Sequence, residues 1–360
     1  MSDSTLVVWD DVFTSYDFGP MHPMRPLRLE LTMARSRQLG VLDRPGVTVA
    51  APTPASDDLL QLVHDPMYVA SVKRAPDDLM GRLSLRYGLG TSDVPVFARM
   101  HESAALVTGA TVDAARAVWS GAQQHAVNIS GGLHHAMRDR ASGFCVYDDP
   151  RVLTVSIHES GRTLFPGTGW ADQVGAGEGV GANVNVALPM GTGDAGWLRA
   201  FEAVVPQVLR AFAPQVILTQ HGCDTHALDP LAHLMMSVDG QRVAYRRLHE
   251  LAHEICGGKW IAVGGGGYEP VQVVPRAWTH LLAEVTGAPL DGATPDDWRE
   301  LAHRIGDETA PTSLTDGRDP AFVPWEGGHG NPDDPVDRAV LETREAVFPH
   351  LGLDALVVDG

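Results

Sequence analysis

Two adjacent histidines, His134 and His135, close the run GGLHH at 131 to 135. The glycine pair before them lets the backbone turn tightly and aim both imidazoles into one cleft. Imidazole moves protons near neutral pH, so the two could divide the work of general base and electrostatic partner, although neighbouring histidines on a loop are often ordinary surface residues. A second cluster, HGCDTH at 221 to 226, offers His221, Cys223, Asp224 and His226 to a metal such as zinc. Residues this close in sequence rarely all reach one tetrahedral ion. One ligand from the loop is therefore expected, with Asp224 best placed, and the plainer reading is a polar loop with a capping Asp. A third run, GGGGY at 264 to 268, lets backbone pass close to a ligand and carries Tyr268, whose phenol could donate a hydrogen bond to a developing oxyanion. A phosphate-binding loop is the rival there, but the run lacks the Lys-Ser/Thr pair and the dinucleotide spacing. Arg28 and Asp93 lie in proline- and glycine-fixed settings, YDFGPMHPMRPLRLELT and YGLGTSDVPVF, where chemistry alone makes each a salt-bridge partner.

These groups need a scaffold that collects them. Four short apolar runs read as buried strands: HAVNIS (125 to 130), RVLTVSI (151 to 157), PQVILTQ (214 to 220) and KWIAVGG (259 to 265). Helical patterns precede the first, third and fourth, which predicts a mainly parallel α/β sheet covered by helices on both faces. Open parallel sheets bind ligands beyond the carboxyl ends of their strands. GGLHH, HES, HGCDTH and GGGGY each follow one of the four runs, so every polar cluster is expected on one rim of one sheet. The connection from 131 to 150 is anomalous. A parallel pair needs a crossover of roughly a dozen residues or more, usually helical, and this stretch has no helical apolar period.

At 360 residues and 44% hydrophobic content the chain can bury a large core. The expected division is an α/β domain over 1–288 and an acidic extension over 289–360, the latter packing through Trp298, Trp325 and AVFPHLGLDALVV. A formal charge of −18 argues against an electrostatic grip on nucleic acid or anionic lipid. The start MSDSTLVVWDD has no signal-peptide pattern and no stretch approaches membrane-spanning length, so a cytoplasmic protein acting on a small molecule or a protein is expected. The three cysteines are far apart and suggest neither a disulfide framework nor a cysteine zinc site.

Taken together, HPMRPLR, GTSDVPVF, GGLHHA, ASGFC, FPGTG, GCDTHALDPLAHL and GGGGYEPVQVVPRAW resemble, in family order from about residue 10 to about 287, the histone deacetylase superfamily, most closely its bacterial acetoin-utilization branch. The resemblance implies an arginase-like α/β fold and one catalytic zinc that hydrolyses acetyl-lysine on a protein such as an acyl-CoA synthetase, or acetylated polyamines in some branches. It makes His135 the main general acid/base, His134 its electrostatic partner, Asp224 a zinc ligand and Tyr268 the group that polarises the acetyl carbonyl. Gly143, Phe144, Phe165 and Leu231 match the walls of a narrow acyl-lysine tunnel, Asp93 the rim residue that holds substrate amides, and Arg28 an arginine at an internal product channel. Ser156 and Ile157 match positions whose backbone helps bind potassium.

The family pattern also calls for a helix and then a strand ending in Asp-x-His-His-Gly-Asp between SGFC and TVSIH. This motif supplies two of three zinc ligands and the carboxylates that orient the histidine pair. Here Cys145 runs into VYDDPRVLTVS and the motif occurs nowhere in the chain. Against a helix-plus-strand crossover, roughly 30 to 45 residues are missing near 148–151. His158, His221, Cys223 or His226 are the available substitutes, though none matches a family ligand. The expectations are a sheet short of one helix and one strand and an impaired or inactive deacetylase. The alternative is a non-catalytic protein that binds acyl-lysine or a partner, and within the enzyme class an acetylpolyamine deacetylase.

Overall fold

The computed structural model describes residues 4–78, 84–147, 153–306, 309–326 and 328–357; the expected join near 148–151 lies outside them. Along the chain run β1 (Thr5–Val8), α1 (Leu27–Gln38), β2 (Val47–Ala50), α2 (Asp57–Leu60), α3 (Pro66–Arg74), α4 (Met100–Trp119) and β3 (His125–Asn128). Then follow β4 (Thr154–Glu159), β5 (Asn183–Leu188), α5 (Asp194–Phe212), β6 (Ile217–Gln220), α6 (Val238–Cys256), β7 (Trp260–Val263), α7 (Val274–Val285), α8 (Asp296–Gly306) and α9 (Pro335–Val347). The chain forms two compact units, one of 1–150, 218–223 and 259–314, the other of 151–217, 224–258 and 315–360.

The first unit carries a five-stranded sheet in the order β2-β1-β3-β7-β6. Its β2–β1, β1–β3 and β3–β7 pairs are parallel, with Thr5, His125 and Trp260 in register. All four residues of β3 and of β7 are buried, as strands covered on both faces must be. Two side chains show the covering. Asn128 donates to Val107 O at 3.3 Å and Thr111 Oγ1 at 2.9 Å on α4, while Thr5, of opposite parity in the pleat, donates to Val285 O at the end of α7 at 3.0 Å. The predicted parallel sheet flanked by helices is present.

The second unit carries a separate two-stranded parallel sheet, β4–β5, paired from Thr154↔Asn183 to Glu159↔Leu188. This corrects the expectation that all four recognised strands share one sheet and one rim: RVLTVSI pairs with NVNVAL, a strand that went unread, and among the described residues β4 has β5 as its one partner. Among the described residues β6 likewise ends its own sheet, with β7 as its one neighbour. β1, β2 and β5 were missed because four to six residues of mixed burial give little periodic signal.

The residues beyond 288 pack into both units. Trp298 on α8 is buried with Leu27, Leu31 and Val271 in the first, its Nε1 donating to Leu31 O at 2.8 Å. In the second, Trp325, Val336, Val340 and Phe348 close over Val184, Val186 and Leu188 of β5. Buried Arg344 lies 4.6 Å from the Trp325 ring and 4.1 Å from that of Phe348. Among the described residues no helix is long and apolar enough to cross a membrane.

Candidate functional site

The loops after β3, β7 and β6 meet at one end of the five-stranded sheet. His221 N–H reaches the carbonyls of Val263 and Gly264 at 3.0 Å each, and Cys223 N–H that of Gly266 at 2.9 Å. Gly132 sits at φ +84°, where a Cβ would lie 2.5 Å from Gly264 O, so the close approach of the GGLHH and GGGGY loops depends on a bare backbone. Irregular segments thus hold the polar groups at the carboxyl edge of regular strands, as a ligand site in an open parallel sheet requires.

His134 and His135 follow directly, their ring centroids 4.3 Å apart. His134 is exposed and His135 half-buried. Burial pulls the His135 pKa below its ordinary value and the negative charge of Asp93 opposes that shift, so the ring is biased toward the neutral form a general base needs. Asp93 also accepts the N–H of Gly143 on Oδ2 at 2.7 Å. Gly143 has φ +54° and faces His135 so closely that an added Cβ would stand 2.5 Å from the histidine's Cβ. Phe144 next to it takes φ +65°, uncommon for a bulky side chain, and its ring meets that of Tyr268 edge-on at 5.6 Å.

Tyr16 and His22, to which the sequence alone gives no role, hold this turn in place. Tyr16 donates its hydroxyl to Phe144 O at 2.9 Å and accepts Val146 N–H at 3.2 Å; its burial raises its pKa and keeps it a donor. His22 packs its ring 4.5 Å from that of Phe144 and reaches Asp93 O with Nε2 at 3.4 Å. Their signal was the YDFGPMHP stretch, whose aromatic and imidazole groups precede α1. Arg28 on α1, 4% exposed, donates to Gly265 O at 2.8 Å and Gly267 O at 3.3 Å and lies 5.1 Å from the Trp278 ring. It ties down the loop that presents Tyr268. Arg28 also lines, with Phe13, Tyr16, Ser130 and Leu133, a cavity with room for roughly a single water.

The first unit therefore brings together His134, His135, Asp93, Gly143, Phe144, Tyr268 and Arg28. Asp224, Phe165, Leu231, Ser156 and Ile157 belong to the second unit. Asp224 is half-buried, and Phe165 and Leu231 are 59% and 37% exposed. Ser156 and Ile157 lie in β4, opposite Asn185 and Val186 of β5.

Zinc is the metal that the family resemblance implies, and the side chains that could replace the absent ligands are committed elsewhere. His158 donates Nε2–H to Gly169 O at 3.0 Å and accepts from Ser156 Oγ on Nδ1 at 2.8 Å. His226 accepts Leu228 N–H on Nδ1 at 3.0 Å and donates to Asp316 Oδ2 at 3.0 Å. His221 is held neutral, its pKa taken down to about 3 by burial, in a relay where Trp260 donates to Thr219 Oγ1 at 2.8 Å and Thr219 to His221 Nε2 at 2.6 Å. Cys223 is fully buried with Sγ 3.7 Å from Gly266 O. A catalytic zinc wants three protein ligands, and this donor set does not supply them.

The family profile for the histone deacetylase domain matches residues 22–149 and 146–285, two stretches that overlap at 146–149. The chain is 38% identical over 335 residues to the acetoin utilization protein AcuC of Bacillus subtilis (strain 168), covering 83% of this chain and 86% of that protein. It is 31% identical over 357 residues to AcuC of Staphylococcus xylosus, covering 89% and 92%, and 32% identical over 362 residues to AcuC of Staphylococcus aureus (strain MSSA476), covering 90% and 92%. The chain belongs to the histone deacetylase family, in its acetoin-utilization branch.

Proposed function

We propose that this chain descends from a zinc-dependent deacetylase acting on acetyl-lysine in proteins, and that it retains recognition of the acetyl-lysine side chain while hydrolysing it poorly or not at all. The observation that carries the reading is the contrast within the site. The cluster of Asp93, Gly143, His135, Phe144 and Tyr268 is assembled and braced, whereas His158 and His226 have both ring nitrogens engaged and His221 is sealed in the core. Two further observations support a lost segment. The family match breaks at 146–149, and an alignment of 335 positions that draws on 83% of 360 residues leaves about 36 positions of the relative facing no residue here, the length of a helix-plus-strand crossover.

In this reading Phe144 and Tyr268 present an apolar wall and a hydroxyl to an extended, uncharged acyl-lysine stem, and Asp93 accepts amide hydrogens at the rim. His135 keeps the proton-transfer role and His134 the supporting one, but without a Lewis acid the water attack lacks several kcal/mol of stabilisation, a thousand-fold or more in rate. An acetylated protein remains the proposed ligand. The test is binding and turnover of an acetyl-lysine peptide by the zinc-saturated chain. Binding that is lost in Phe144→Ala and Asp93→Ala, with negligible hydrolysis, supports the proposal; brisk turnover abolished by Asp224→Ala and Tyr268→Phe overturns it.

A further inference from the structure

Helix α6 of the second unit contains the run HELAH at 249 to 253. Histidines four residues apart lie on one face of a helix, and H-E-x-x-H is the spacing with which a helix offers two imidazoles to one metal ion. In this helix the His249 and His253 Nε2 atoms are 3.1 Å apart, with ring centroids at 4.9 Å and planes inclined by 51°. Two imidazole nitrogens each about 2.0–2.1 Å from one ion, at an angle between about 90° and 110°, stand roughly 2.9–3.4 Å from each other. The pair is therefore already at chelating distance, joined by one shared ring N–H that an ion would displace. His253 is exposed and His249 half-buried, so solvent ions can arrive.

The neighbouring carboxylates show what the site does not do. Glu250 Oε2 accepts from Arg247 Nη1 at 3.3 Å, and Glu254 is gripped by Arg210 at 2.7 and 3.2 Å. Glu250 is thus drawn into an ion pair with the preceding turn instead of being poised over the imidazoles as a water-activating base. The motif fits binding and not peptidase chemistry.

We propose that His249 and His253 form a two-histidine chelate for a divalent transition metal of the zinc, nickel and copper class on α6. Neutral imidazole suits these borderline ions. None of the residues involved takes part in the acetyl-lysine reading, so the two proposals stand or fall separately.

The experiment is equilibrium dialysis of the full chain against zinc, with bound metal counted by mass spectrometry, for wild type, His253→Gln and Asp224→Ala. Circular dichroism accompanies each sample, and His253 is the primary target because its exposure makes a folding defect least expected. One zinc per chain in wild type and in Asp224→Ala, weakened by at least about tenfold in His253→Gln, supports the chelate. Copper(II) loaded in place of zinc should give a two-nitrogen resonance pattern that falls to one nitrogen in His253→Gln. No binding at roughly 100 µM zinc, or binding unchanged in His253→Gln, overturns it. Loss in both variants would place Asp224 in the same site and overturn the two-histidine assignment as well.

Discussion

The loop cluster of the first unit and the β4–β5 region of the second hold their polar groups in different ways. Around Gly143 and Tyr268 three of the expected features are held by neighbours far away in sequence: Asp93 by Gly143 N–H, Phe144 by Tyr16, the GGGGY loop by Arg28. In the second unit Phe165 and Leu231 are exposed, and His158 and His226 satisfy their ring nitrogens within their own surroundings. The difference teaches that a loop cluster can be braced by the packing of a sheet and its helices alone. A metal site has no such reserve, because its donors must come from particular positions on particular connections.

The sharpest way to break the comparison is to supply the missing connection. Inserting a relative's helix and strand with Asp-x-His-His-Gly-Asp between Tyr147 and Leu153 should give one tightly held zinc and raise acetyl-lysine turnover by at least about a thousand-fold. A folded, zinc-loaded graft no faster than the starting chain would show that the His134, His135 and Tyr268 cluster is not competent. Next in size, Arg28→Met should cost about 3 kcal/mol in urea unfolding, since it removes charge-assisted hydrogen bonds from two buried carbonyls. Gly143→Ala should cost about 2–3 kcal/mol, because it combines a left-handed backbone with a Cβ pressed onto His135; unchanged stability would mean the turn relaxes freely.

Acid should act mainly through the first unit. His221 is kept neutral in the fold with its pKa lowered from 6.5 to about 3, while the unfolded chain takes up a proton below pH 6.5. Its contribution is therefore intact above that pH and declines as pH falls toward 3, by about 2 kcal/mol between pH 7.5 and 5. Urea midpoints at the two pH values should show this loss in wild type and a correspondingly smaller one in His221→Asn. The smallest effects belong to the second unit's exposed residues: Phe165→Ala and Leu231→Ala should each shift stability by no more than about 0.5 kcal/mol. A large loss in either would mean that the exposed side chains carry packing.

The cores of β3, β6 and β7 and the helices α4, α5 and α6 were legible because long periodic segments and strongly apolar runs announce themselves. The short strands β1, β2 and β5 were not, nor was the pairing of β4. The roles of Tyr16 and His22 stayed hidden because each acts on backbone more than a hundred or about seventy positions away. HELAH was readable as a spacing, but it lies inside an amphipathic helix whose pattern explains the same residues as surface.

Sequence alone determined the family, the order of its motifs, the glycines that permit close loops, and the lack of Asp-x-His-His-Gly-Asp, since all of these are local chemistry written in consecutive residues. Only tertiary structure decided that β4 pairs with β5 outside the five-stranded sheet, that His158, His221 and His226 are already committed, and that His249 and His253 stand at chelating distance. Strand pairing and hydrogen-bond saturation are contests among groups distant along the chain, and their outcome depends on which partner packing brings within about 3 Å.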